Sequence, residues 1–153
     1  MDFTPMLGML KAQFNAMVPF SRFCGIEIDD VRLGEADASL PERAELGNHI
    51  GSQHAAAMFL VGETASGLAA TSVFAPLALT AKPVAHTASI QYLKVAKGRI
   101  QARAQVEGDP EVLFATLQAE GKIEMDVLVR LVNSAEVLVA EMRVKWHVTL
   151  PRP

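Results

Sequence analysis

Residues 48–73 read NHIGSQHAAAMFLVGETASGLAATSV, and most architectural expectations for this 153-residue chain start from them. A loop from Leu46 to Gln53 runs into an apolar segment from His54 to Val73, which has about the length needed to span a bilayer. No membrane crossing is expected. Glu63 lies mid-segment, Gly62 and Gly67 interrupt it, and Thr64, Ser66, Thr71 and Ser72 add polarity. The segment reads as a buried core helix, and a helix apolar nearly all round must be enclosed by the rest of the protein.

The enclosure is legible on either side. Ile26 and Ile28 alternate with Glu27 and Asp29, then Ala36, Ala38 and Leu40 with Glu35, Asp37 and Ser39. Two short strands, or one long bent strand irregular around Asp30 to Gly34, both fit. Beyond turn material around Pro76 and Pro83, four strands follow, with inward faces Ala88-Ile90-Tyr92, Ile100-Ala102-Ala104-Val106, Ile123-Met125-Val127-Val129-Leu131 and Met142-Val144-Trp146-Val148. Polar residues alternate with them, the mark of an antiparallel sheet with one wet face. Asp109-Pro110-Glu111 opens a short helix through Gln118. At the N-terminus, Met6, Leu7, Leu10, Phe14, Met17 and Val18 give an amphipathic helix from Thr4 to Phe20, opened by Thr4-Pro5 and ending near Pro19.

The expected class is α+β: a curved antiparallel sheet wrapped around a long central helix, one domain over residues 1–153 with an N-terminal helix (1–20) preceding the core. Six strands leave part of the helix open, and a second copy of the chain is the simplest cover, so a homo-oligomer is expected.

Composition excludes several classes. A net charge of −3, with both signs mixed along the chain, gives no basic face for nucleic acid. Cys24 is the only cysteine, so there is no intrachain disulfide and no cysteine-based metal site; between Phe23 and Gly25 it reads as a buried small residue. No metal-ligand spacing stands out and no cofactor is expected. The N-terminus lacks a basic region and a cleavage site, so a cytoplasmic location is expected, with no membrane partner.

Between Leu46 and Ala81 the only fixed charge is Glu63. An unpaired carboxylate buried there is costly and its pKa should rise. It is either a structural group neutralised by an arginine or lysine from a strand, or a functional acid, base or nucleophile. Ser52 reads as the helix N-cap. The N–H groups of the first turn, including those of His54 and Ala55, lack intrahelical partners and can bind an oxyanion. Asn48 offers a side-chain amide beside them. His54 and Glu63 are nine residues apart, which puts them on opposite sides of a helix and ~13 Å apart along it. In an antiparallel pair of helices the start of one meets Glu63 of the other, giving two shared sites per dimer.

The pattern Asn48-x-x-Gly51-x-x-His54-Ala55-x-Ala57, then Glu63 and Gly67, resembles the hotdog-fold thioesterases of the phenylacetyl-CoA and 4-hydroxybenzoyl-CoA type. Ile90-Gln91-Tyr92-Leu93-Lys94 and Gly98-Arg99-Ile100-Gln101-Ala102 resemble their strands, so the likeness runs from about Ile26 to His147. The resemblance implies hydrolysis of an acyl-CoA or related thioester. Glu63 would be general base or nucleophile, Asn48 would bond the carbonyl, and His54-Ala55 would form the helix start whose residue-55 N–H holds the oxyanion. Gly51, Ala55 and Gly67 would lie against substrate. Gly67 stands where the family carries a threonine or serine and cannot orient a water; Ser66 or Thr64 would have to substitute. A non-catalytic acyl or acyl-CoA binder is the alternative.

His54 reads as holding the loop through hydrogen bonds rather than as a catalytic acid. His49, fourteen residues before Glu63, keeps a hotdog dehydratase as a lesser alternative. His86 and His147 read as strand or loop surface. Met6, Met9, Met17 and Met58, with Phe14, Phe59 and Phe74, read as ordinary core before acyl tunnel. Lys82, Lys94, Lys97 and Arg99 read as solvated strand ends that coenzyme A phosphates could also meet.

Overall fold

The computed structural model of the protein describes residues 2–152. The N-terminal helix α1 (Thr4–Met17) stops at Val18, and the chain re-enters a short helix α2 (Pro19–Phe23). The single helix expected to Phe20 is therefore broken in two, because Pro19 has no N–H and its ring clashes with the preceding turn. Strands β1 (Glu27–Arg32) and β2 (Glu35–Leu40) form a hairpin with an irregularity between Ile28 and Asp30. Two strands, not one bent strand, result.

The central helix α3 (Ala55–Val73) is followed by β3 (Lys82–Tyr92), β4 (Ile100–Val106), α4 (Pro110–Glu120), β5 (Lys122–Asn133) and β6 (Leu138–Thr149). Asp109 caps α4 by accepting from the Glu111 N–H, with Pro110 in the first turn. β3 begins earlier than its turn-like Pro83 suggested. Proline is tolerated there because β3 is an edge strand.

All six strands form one antiparallel sheet in the order β1-β2-β4-β5-β6-β3. Its inner face buries Ala36, Ala38, Leu40, Ile100, Val127 and Val144, and α3 lies across it with Val61, Ala65, Leu68 and Ala69 fully enclosed. Each large aliphatic side chain so buried contributes about 1.5–3 kcal/mol. Small helix residues let the sheet come close: a Cβ on Gly62 would stand 2.6 Å from Met142 Sδ. α3 is long and apolar enough to cross a membrane by length and composition, but 72% of its most apolar window is buried inside the protein.

The sheet does not close over the whole helix. Phe59, Leu60 and Glu63 are half-buried along one stripe of α3, and Ala56 on the same stripe is exposed. Beside this stripe β3 is exposed along almost its whole length, its outer edge unpaired. Ala88, Ile90 and Tyr92 oppose the buried Val144, Met142 and Ala140 of β6, so they share the inner face, yet Ala88 and Tyr92 stay exposed and Ile90 is only half-buried.

Candidate active site

The loop before α3 is built around Asn48. Its Oδ1 accepts from the N–H groups of Ile50 (3.1 Å) and Ser52 (3.0 Å), and its Nδ2 donates to Ser52 Oγ (2.9 Å) and the Gln53 carbonyl (3.3 Å). Gly51 supplies the turn with φ +71°, a conformation that L side chains rarely adopt. Asn48 was expected to present its amide to a substrate carbonyl; within the chain both amide hydrogens are already engaged. Gln53 fastens the loop to its surroundings, with Nε2 donating to the carbonyls of Pro41 (3.0 Å) and Gly98 (2.8 Å).

Ser52 does not cap the helix, because Asn48 occupies its hydroxyl. The cap is His54, whose Nδ1 accepts from the Ala56 N–H at 2.9 Å. Its own N–H donates to the Leu46 carbonyl at 2.9 Å and cannot bind an oxyanion. The imidazole thus caps the helix through Nδ1, on a residue that is exposed. Among the described residues the Ala55 N–H has no acceptor. Of the two expected oxyanion donors, only Ala55 is therefore free. Tyr92 Oη donates to the Ala55 carbonyl at 2.8 Å and pins this first turn to β3. A surface cavity of about 320 Å³, bordered by Ala55, Met58, Tyr92 and Lys94, opens beside it.

Two turns further on, the Glu63 carboxylate has neither an ion pair nor a hydrogen bond among the described residues. Burial raises its pKa above the ordinary carboxylate value. Among the described residues no strand arginine or lysine pairs with it. The hydroxyls nearest in sequence are all committed. Thr64 Oγ1 bonds Ser21 Oγ at 3.0 Å, and Ser66 Oγ donates to the Glu63 carbonyl at 2.7 Å while accepting from Trp146 Nε1 at 3.0 Å. Gly67 was expected against substrate. It is fully enclosed instead, and a Cβ there would stand 3.0 Å from the Trp146 ring. The indole occupies the space a side chain at 67 would need. His49, on which a dehydratase would depend, is exposed on the loop.

Residues 8–148 match the profile of a family described as a domain of unknown function, DUF4442. The chain belongs to the DUF4442 family. Comparison with the curated proteins gives no match. Among solved structures, the E. coli PaaI protein from the phenylacetic acid degradation operon is similar with a TM-score of 0.77 and 20% identity, covering 99% of this chain and 97% of that one. A Pseudomonas aeruginosa protein described as a probable thioesterase gives 0.74 at 22% identity, covering 94% and 95%. A variant of a Staphylococcus aureus thioesterase gives 0.72 at 20%, covering 86% and 99%. At these identities the likeness establishes the fold, and this DUF4442 chain has the hotdog fold that its loop-and-helix pattern implied.

Within the DUF4442 chain, Gln53, Tyr92 and Trp146 act on the site without having been singled out for it. Tyr92 and Trp146 read correctly as inward-facing strand residues, but no local pattern tells which helix residue a strand side chain will meet.

Proposed function

We propose that the protein is an acyl-CoA thioesterase of the cytoplasm, a single hotdog domain over residues 1–153 that works as a homodimer with sites shared between subunits. One observation carries this reading: a half-buried carboxylate without a partner, Glu63, on the open stripe of a helix whose first residue keeps a free N–H. Ala55 and Glu63 of one chain are ~12 Å apart along the helix and face different ways. Antiparallel apposition of two α3 helices across the open β3 side joins Glu63 of one subunit to Ala55 of the other.

In this site Glu63 takes a proton from water as the water oxygen bonds to the thioester carbonyl carbon. The carbonyl oxygen becomes an oxyanion held by the Ala55 N–H of the partner subunit, with the helix dipole behind it. The C–S bond then breaks, and the proton on Glu63 passes to the departing thiolate. Asn48 and Gly51 serve by shaping the loop, and His54 by capping it. In a single turnover in heavy-oxygen water, label appearing on Glu63 itself would show direct attack by the carboxylate instead.

Complementation tests the shared site. Glu63→Gln removes the base. Ala55→Pro removes the oxyanion N–H at a position where proline fits, since Ala55 is the first helical residue and His54 before it is extended (ψ 139°). Each variant alone should be inactive. Mixed, unfolded and refolded together, they should recover about a quarter of the wild-type rate, because half the dimers carry one intact site of two. Absence of recovery from folded mixed dimers would place both residues in one subunit's site.

The commitment of Thr64 and Ser66, with Gly67 covered, favours a second reading: an acyl-CoA binder without turnover. Binding of acyl-CoAs by the wild-type chain with no release of free thiol would support it.

A further inference from the structure

We propose that Trp146 is the stop that limits how long an acyl group the Glu63 cleft accepts, so that the site takes short, compact acyl thioesters. This rests on the thioester reading of Glu63 given above. Glu63 and Gly67 lie one turn apart on one face of α3, and side chains on a helix lean back toward its N-terminus. A side chain at 67 would therefore point toward Glu63. In its place stand Cζ2 and Cη2 of Trp146, at 3.0 and 3.2 Å from where that Cβ would be. The distal edge of the indole thus walls the C-terminal side of the carboxylate.

The wall is fixed. Trp146 Nε1 donates to Ser66 Oγ, which in turn donates to the Glu63 carbonyl, tying the ring to the turn that carries the carboxylate. On either side of Glu63 in sequence, Met142 and Leu131 fill the space at Gly62, and Thr64 bonds Ser21 of α2. Phe59 and Leu60, one turn nearer the N-terminus on the same stripe, are half-buried, and β3 is exposed. The strand neighbours of Trp146 are Met125 on β5 and the small, exposed Ala85 on β3. Removing the indole would leave a void beside Gly67 and Ala85 that a longer acyl chain would fill.

The test is the ratio of kcat/KM for decanoyl-CoA to that for hexanoyl-CoA, measured for the wild type, Trp146→Phe and Trp146→Ala, with thermal melts of all three. A further methylene accommodated in an apolar pocket is worth roughly fourfold. The wild type should favour hexanoyl-CoA, and the ratio should rise at least about tenfold in Trp146→Ala and less in Trp146→Phe. The phenylalanine variant keeps a ring in the core and carries the test where the alanine variant fails to fold. A ratio unchanged in folded variants that still hydrolyse hexanoyl-CoA overturns the stop, as does a wild type that prefers decanoyl-CoA, and either result leaves the thioesterase reading standing. A wild type that neither binds nor hydrolyses any of these thioesters overturns that reading, and the stop falls with it.

Discussion

Glu63 is a side chain whose folded environment works against its own ionisation. Burial raises its pKa, so the folded protein holds this proton more tightly than the unfolded chain. Folding therefore takes up a proton between the ordinary carboxylate pKa and the raised one. Stability falls as pH rises through that window and is lowest above it. Glu63→Gln should accordingly melt at a higher temperature than the wild type at neutral pH, with the difference vanishing below the ordinary carboxylate range. The same substitution should lower kcat by about 10²–10⁴-fold if the carboxylate is a general base. In the wild type kcat/KM should climb with pH through an acid limb lying above the usual carboxylate range. A lone charge in an apolar run was legible from sequence because burial cost is a property of the residue and its neighbours along the chain. The absence of a neutralising cation was not, since that depends on which strand residues face the helix.

At the scale of elements, the helix start shows where local reading stops. Ser52 is the better capping residue by type, but Asn48 engages the Ser52 hydroxyl, and the cap falls two residues on at His54. His54→Ala should cost about 0.5–2 kcal/mol in a denaturant titration, the usual price of a lost cap. Activity should follow the folded fraction, and a fall of orders of magnitude in a stable variant would assign the imidazole a chemical role. Alternation identified the inner faces of β2, β4, β5 and β6 because a strand's period of two survives any arrangement of its partners. β3 obeys the same alternation, yet its inner face is exposed. Periodicity tells which way a side chain points, and not whether anything lies there to cover it. Pro19 ended α1 for a reason wholly contained in its own ring, but sequence could not say that a second short helix would follow at once.

For the whole molecule, the proposed dimer would form across the open side of β3. Ala88→Lys, on that inner face, should give a monomer by sedimentation and abolish hydrolysis, because each site would lose the half that the other subunit supplies. Retained dimers would move the interface elsewhere. The same strand has a consequence for the chain before it finds a partner. A finished but solitary subunit presents a long row of unsatisfied backbone donors and acceptors next to exposed Val84, Tyr92 and Leu93. Any other extended chain can add to such an edge, so the proposed pairing would compete with misassociation from the moment of synthesis. Pairing across that strand, as proposed, would withdraw the edge from such association.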